Sequence, residues 1–237
     1  MEPLTLLWLA RRYLTERAEE LWREYDEAGR RGTPRYTLAS DIRTEIERLD
    51  PDHLPSLGTV AASLVDAAAK AGENPRTFAA KVHEWLSQPQ LTTDPLPYRR
   101  VLTPAESRDW RAEVQRRWGV SRDGCWHPML TPDVPADVLV LDESMWDGEG
   151  AAEVRRLLRD MGRTRVIELR EYGADYLLDL DDFTPAYTGA EGVWTDAHHD
   201  WLVYASHEWS VAFGGVLADR LRCRPGAAIC QWRFWTP

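Results

Sequence analysis

The sequence has few cysteines and lacks a membrane-length apolar run. Its 237 residues include three cysteines, and no two of them form a C-x-x-C pair. An odd number of thiols without paired spacing predicts a reducing cytoplasm and argues against a disulfide scaffold. Residues 4–10 are apolar, but they lack the basic start and the small-residue cleavage site of a secretory signal, so none is expected. No stretch approaches the roughly 20 apolar residues of a membrane helix.

Signatures of several enzyme classes are also missing. The chain contains no P-loop, no dinucleotide-binding glycine pattern and no serine-hydrolase motif. The pairs His198-His199 and Cys125-x-His127 lack the paired short spacings of a structural zinc site. Motifs therefore assign no catalytic residue, no metal and no cofactor, and they leave open whether the chain is an enzyme.

Composition and charge indicate a globular protein whose negative charge is unevenly distributed along the chain. The apolar fraction is 43% and there are 12 tryptophans, which suits a packed core. The net charge is −10, and residues 133–208 alone hold 18 acidic and 6 basic residues, so the rest of the chain is slightly positive. Such a field repels nucleic acid and attracts basic partners by electrostatic steering.

Apolar spacing predicts a helical first part. Residues 3–28 repeat apolar side chains every three or four positions, which is typical of one long amphipathic helix. Shorter helices are predicted over residues 38–49, 59–71 and 75–87. We therefore predict a helical subdomain over residues 1–87. The prolines of residues 88–104 predict a semi-rigid linker or a strap laid over the surface.

Residues 105–237 are predicted to form an α+β domain. Thr103 and Glu106 have the spacing of a capping box at the start of a helix. Apolar runs at residues 137–141 and 166–169 flank a predicted helix over 149–161, in the order of a βαβ unit. Further strands are expected at 175–180 and 229–235. We predict a mixed β-sheet of five or six strands with helices packed on one face, after the N-terminal helical subdomain.

The longest aromatic and β-branched stretch predicts a β-hairpin over residues 194–215. Because side chains alternate between faces, a three-residue turn at 207–209 opposes Val203 to Phe213 on one buried face. A two-residue turn would oppose Leu202 to Phe213 instead. In both registers His207 and Glu208 lie at the tip.

Candidate site residues follow from this pattern. His207-Glu208 suggests a general base with its orienting carboxylate, but a hairpin tip is usually wet, and hydrogen bonds within the turn are the alternative. Asp179, Asp181 and Asp182 suggest a divalent-cation site, for which a solvated acidic turn is the alternative.

Tryptophans near turns and edges suggest a third kind of site. Buried rings are the default, but exposed ones beside the acidic segment would be aromatic anchors for a partner protein. The predicted partner-binding residues are Asp179, Asp181, Asp182, Trp194, His207, Glu208 and Trp209.

Residues 66–82 resemble the helix-turn-helix of bacterial transcription regulators. Ala68 would lie where the helices touch, Gly72 at the turn, and Thr77 and Val82 in the recognition helix. The basic residues of this segment are offset by acidic ones, which disfavours phosphate binding. A plain helix hairpin is the alternative.

Trp194, the run D-W-L-V-Y-A-S-H-E over residues 200–208 and Gly214-Gly215 resemble a strand pair of small uncharacterised bacterial proteins, some of which resemble immunity proteins of toxin systems. The resemblance covers about the last 45 residues and implies partner binding. We therefore expect a cytoplasmic interaction protein of the immunity or antitoxin type that covers a basic partner, such as a nuclease toxin. Alternatives are a small enzyme with a site near the hairpin and a DNA-binding regulator.

Overall fold

The computed structural model describes residues 1–71, 75–121, 126, 138–146 and 150–223. The chain divides into two compact units, Met1–Val101 and Leu102–Pro237. The sequence predicts a semi-rigid linker or a strap over residues 88–104. In the structure most of that segment belongs to the first unit.

The first unit contains four helices, as predicted. They are α1 (Pro3–Glu27), α2 (Tyr36–Ile46), α3 (Leu57–Lys70) and α4 (Pro75–Leu86), followed by the short strand β1 (Arg99–Val101). Their apolar faces form one core, which includes Leu14, Ile42, Leu64, Phe78 and Val82. Among the described helices of the chain, none has the length and apolar character required to cross a bilayer.

The proline-rich segment lies against α1 as a strap. Arg11 donates from Nη1 to the carbonyl oxygen of Pro97 at 2.8 Å, and Arg12 donates to that of Asp94 at 3.2 Å. Proline removes backbone N–H donors, so this segment exposes carbonyl oxygens that arginine side chains can bind. Of the two alternatives for residues 88–104, the strap describes the part up to Val101.

A buried carboxylate connects the strap to α2. Glu47, at the C-terminal end of α2, is 1% exposed in its side chain and lies 3.3 Å from Arg11 Nε and 3.5 Å from Arg99 Nε. Its backbone oxygen accepts from Val101 N at 2.7 Å. The end of α2, the third turn of α1 and the strap are thus fixed at one point.

The second unit confirms the α+β prediction. Its elements are α5 (Pro104–Trp118), β2 (Leu139–Asp142), α6 (Gly150–Asp160), β3 (Arg165–Arg170), β4 (Tyr176–Asp179), β5 (Gly192–Thr195), β6 (Trp201–Ser206), β7 (Ser210–Gly215) and α7 (Val216–Arg222). The predicted capping box of α5 is present, with Thr103 N donating to Glu106 at 2.7 Å. The strand predicted at 229–235 lies outside the described residues.

The pairing of the strands differs from the prediction of a mixed sheet. Six strands of the sheet lie in this unit, in the order β4-β3-β5-β6-β7-β2, and their recorded pairings are all antiparallel. The strand, helix, strand order β2-α6-β3 does occur, but three strands separate β2 from β3. They therefore do not form an adjacent parallel pair, because hairpin-connected strands fill the space between them.

The predicted register of the hairpin is confirmed. Val203 pairs with Phe213 and Ala205 with Val211, which leaves a three-residue turn at 207–209. The last turn residue, Trp209, has a φ of 59°. A three-residue turn whose final position is left-handed is a common hairpin connection.

Both faces of the central strands are buried. Leu202, Tyr204 and Ala212 share a core cluster with Trp118 of α5. The alternating residues on the other face, such as Val203, are also fully buried. Gly214 permits the close approach of α5, because a Cβ there would lie 2.6 Å from the Trp118 ring.

Candidate functional site at the hairpin tip

The predicted partner-binding residues divide between two ends of the sheet. In β3, Arg165 pairs with Asp179 at one end, and Arg170 pairs with Gly192 at the other. Gly192 in turn pairs with Ala205, next to the hairpin tip. Arg165 and Arg170 are five positions apart in β3, which corresponds to about 17 Å along the strand. The aspartates and the tip therefore do not form one surface patch.

Arginines of the same unit face the aspartate end. Asp181 accepts a hydrogen bond from the guanidinium of Arg159, and Asp179 Oδ1 lies 3.4 Å from Arg165 Nε. Asp182 is half-buried in the helical turn Leu180–Asp182. These pairs offset part of the negative charge that the sequence places here.

Trp194 is a core residue, which corrects its assignment to a partner surface. It is 4% exposed, and its ring centroid lies 6.4 Å from that of Phe183 in an edge-on contact. β5 pairs on both sides, with β3 and with β6, so its side chains are enclosed. Other tryptophans near predicted turns and edges are at positions 146, 232 and 235. Their side chains lie outside the described part of the chain.

The turn itself is held by backbone and hydroxyl contacts. Glu208 N donates to Ser206 Oγ at 3.3 Å, and the hydroxyl oxygens of Ser206 and Ser210 lie 2.9 Å apart. Trp209 O accepts from Glu143 N at 2.9 Å. The Glu208 backbone thus bonds to a serine side chain of β6. That the side chain of His207 or Glu208 bonds backbone groups of the turn stays a prediction.

The His207 side chain lies between two carboxylates. Its Nδ1 is 2.5 Å from Glu191 Oε1, and its Nε2 is 3.2 Å from Glu208 Oε1. Glu191 is 5% exposed, and its Oε2 accepts from the Tyr204 hydroxyl. Three side chains with nitrogen and oxygen ligand atoms thus converge at the tip.

The carboxylates favour the charged imidazolium form of His207. The hydrogen bond to Glu191 raises the pKa of His207, against the opposing effect of desolvation. The negative charges of Glu208, Glu191 and Glu171 raise this pKa further.

Sequence patterns did not predict Glu191 or Tyr204 as site residues. Glu191 precedes β5 and lies 16 residues before His207, so only the pairing of β5 with β6 brings the two together. The alternation around Tyr204 indicates only that its side chain faces one side of the strand. The register of β5 against β6 would have been the signal for this contact.

A second exposed aromatic residue lies at the same end of the sheet. Tyr172, in the turn between β3 and β4, is 67% exposed, and Trp209 is 66% exposed. The neighbour of Tyr172, Glu171, donates from its backbone N to Glu191 O at 2.9 Å. We name the set Glu171, Tyr172, His207, Glu208 and Trp209 the hairpin-tip surface.

The helix pair α3–α4 shows where the helix-turn-helix residues lie. Ala68 and Val82 are buried, and Thr77 is exposed. Lys81 Nζ lies 3.0 Å from Glu84 Oε2, so an acidic side chain offsets its charge. Gly72 and the side chain of Arg76 lie outside the described residues. DNA binding stays a prediction.

No family model, no curated protein sequence and no solved structure matches this chain. The hairpin-tip surface presents two aromatic rings beside carboxylates and a histidine whose charged form is favoured. Such a surface can bind cationic groups through charge and through the faces of the rings.

Proposed function

We propose that this chain is a cytoplasmic protein-binding module of the immunity or antitoxin type, whose hairpin-tip surface covers a basic protein partner. The observation that carries the proposal is the exposure of Trp209 and Tyr172 next to Glu171 and Glu208. Two largely exposed aromatic residues beside acidic side chains form the kind of surface that a partner protein covers.

Aromatic anchors surrounded by charge are typical of binding hot spots. Tryptophan and tyrosine are enriched among the interface residues whose truncation costs the most affinity. Arginine and lysine side chains of a partner can stack on such rings while their charges face Glu171 and Glu208. The tip therefore suits a partner with a positive surface, such as the phosphate-binding groove of a nuclease toxin.

The acidic segment is not uniformly available to a partner. Asp175 is buried and accepts from Arg111 Nη2 at 2.6 Å. Asp196 is also buried; it lies 3.3 Å from Arg163 Nε and accepts from Trp201 Nε1 at 2.8 Å. These carboxylates act within the fold. The hairpin-tip surface, by contrast, combines exposed rings with acidic side chains.

A small enzyme is the second candidate, favoured by the contact between His207 and the buried Glu191. A carboxylate on one ring nitrogen orients a histidine that acts as general base through the other. Here the second nitrogen, Nε2, faces Glu208 at 3.2 Å. Because both nitrogens face carboxylates, the geometry suits binding better than proton abstraction from a substrate.

The test is capture of the partner from the native host with the full chain as bait. The recovered partner should be basic, and its affinity for the purified chain should fall between about 0.05 and 0.5 M salt. Trp209→Ala should weaken binding by about 30-fold, the effect of losing a hot-spot anchor. Trp22→Ala is the matched control, because Trp22 is an exposed tryptophan of the first unit.

A salt-independent complex, or equal affinity in Trp209→Ala and the unchanged chain, would contradict the proposal. Duplex DNA binding that is lost on changing Arg76 and Lys81 would support the regulator alternative instead.

A further inference from the structure

The convergence of Glu191, His207 and Glu208 has a geometry beyond that of a hydrogen-bonded turn. One ligand atom from each side chain can be chosen so that all three atoms lie within 4.8 Å of one another. In a tetrahedral site with metal–ligand bonds of 2.0–2.2 Å, ligand atoms are about 3.4 Å apart. Small side-chain rotations would therefore suffice to bring these atoms to bonding distance of one ion.

The three residues differ in burial in a way that suits a metal site. Glu191 is buried, and the Tyr204 hydroxyl holds its Oε2, so that its Oε1 faces His207. Such outer hydrogen bonds orient ligating carboxylates in known metal sites. His207 and Glu208 lie on the turn, where the His207 side chain is largely exposed and can rotate. A buried carboxylate is thus combined with a histidine on the exposed turn and with a half-buried second carboxylate.

We propose that Glu191, His207 and Glu208 bind a divalent transition-metal ion of the zinc class. A single ring nitrogen of His207 binds the ion, so a coordinate bond replaces one of its present hydrogen bonds to carboxylates. Two carboxylates and one imidazole neutralise the ion, and the exposed side of the tip leaves a position for water. Metal binding does not require the proposed partner, although His207 and Glu208 belong to the hairpin-tip surface as well.

The donor set distinguishes between metals. Magnesium and calcium prefer ligand sets made of oxygen alone, whereas imidazole nitrogen favours zinc and its neighbours in the first transition row. We therefore expect Zn²⁺ to bind and Mg²⁺ and Ca²⁺ to bind far more weakly.

The experiment measures Zn²⁺ binding to the full chain after chelator treatment. Zn²⁺ is titrated in competition with a colorimetric zinc indicator, and bound metal is counted by elemental analysis after gel filtration. His207→Ala and Glu191→Gln should each weaken this binding about 10-fold or more. Bound Zn²⁺ should also raise the melting temperature of the unchanged chain and not that of His207→Ala.

His53→Ala is the matched control. His53 Nδ1 also contacts a carboxylate, with 3.0 Å to Asp50 Oδ2, but that exposed pair is not among the three-residue metal groupings in the described part of the chain. Its removal should leave the Zn²⁺ affinity unchanged. His207 lies on an exposed turn, so His207→Ala is expected to fold. Circular dichroism shows whether Glu191→Gln, which changes a buried residue, also folds. If Glu191→Gln is unfolded, the Zn²⁺ affinity of His207→Ala alone decides the test.

Three results would overturn the metal site. They are the absence of stoichiometric Zn²⁺ binding, equal Zn²⁺ affinity in His207→Ala and the unchanged chain, and binding of Mg²⁺ as tight as that of Zn²⁺. Because the assay contains no partner protein, its failure leaves the proposed function standing. Conversely, loss of partner binding in Trp209→Ala says nothing about Zn²⁺.

Discussion

Trp209 combines two features that are unfavourable for a free monomer. Its φ of 59° lies in the left-handed region, which costs a side-chain-bearing residue about 1–2 kcal/mol. Its ring is also 66% exposed, so burial within the fold offsets little of that cost. Glycine is the residue that this position of a three-residue turn usually prefers. Retaining a tryptophan here is consistent with a role in binding.

Trp209→Gly should separate stability from binding. Glycine removes the left-handed penalty, but it makes the unfolded chain more flexible, which lowers the free energy of unfolding by about 0.5–1 kcal/mol. The free energy of unfolding should therefore be unchanged or up to about 1.5 kcal/mol higher in urea denaturation, while partner binding is lost. Trp209→Ala keeps the positive φ and should not gain stability. A loss of more than about 1 kcal/mol in Trp209→Gly would show that the ring supports the fold.

The residues of the tip illustrate what a sequence can predict at this scale. Alternation and turn parity place His207 and Glu208 at the hairpin tip, because these are local rules. Glu191 reaches them only through the pairing of β5 with β6, which no local pattern encodes. Burial of Trp194 is missed for the same reason, since β5 has to be enclosed by two neighbouring strands before its side chains are covered.

At the level of elements, local signals predict helix and strand positions well and their arrangement poorly. The capping box starts α5 at Pro104, and the apolar runs predict β2 and β3 within two residues of their observed bounds. Their order along the chain suggested a parallel βαβ pair. The sheet instead places β5, β6 and β7 between these strands, because non-local hydrogen bonding decides which strands are neighbours.

The contact between α2 and the strap gives a prediction at this scale. Glu47 is buried between Arg11 and Arg99, so Glu47→Ala removes the carboxylate that both guanidinium groups face. Breaking a buried ion pair on one side costs about 3 kcal/mol or more. Urea unfolding of the full chain, monitored by the helical circular dichroism signal, should show this decrease in the free energy of unfolding.

A neighbouring ion pair supplies the control. Glu45 Oε1 lies 3.0 Å from Arg48 Nε on the surface of the same unit. Because solvent screens exposed pairs, Glu45→Ala should cost at most about 1 kcal/mol. If both variants lose the same free energy of unfolding, the buried contacts of Glu47 do not stabilise the unit more than an exposed ion pair does.

At the scale of the whole molecule, the chain has two units with separate cores. The hydrophobic cluster of the helical unit consists of residues between Leu6 and Trp85, with partly buried neighbours between Met1 and Leu91. A second cluster, around Trp118, Leu202 and Tyr204, belongs to the sheet unit. The hairpin-tip surface and the candidate metal ligands all lie in the second unit. The first unit has a hydrophobic core of its own and contains none of these residues.

A fragment of residues 1–101 should consequently fold by itself. Its core and the strap contacts of Arg11, Arg12 and Glu47 all lie within this range. We expect a helical circular dichroism spectrum and cooperative thermal unfolding. Ile42→Ala in the same fragment should lower its stability by about 2–4 kcal/mol, because a fully buried side chain leaves a cavity. A fragment without helical signal, or one insensitive to Ile42→Ala, would show that this core is not self-sufficient.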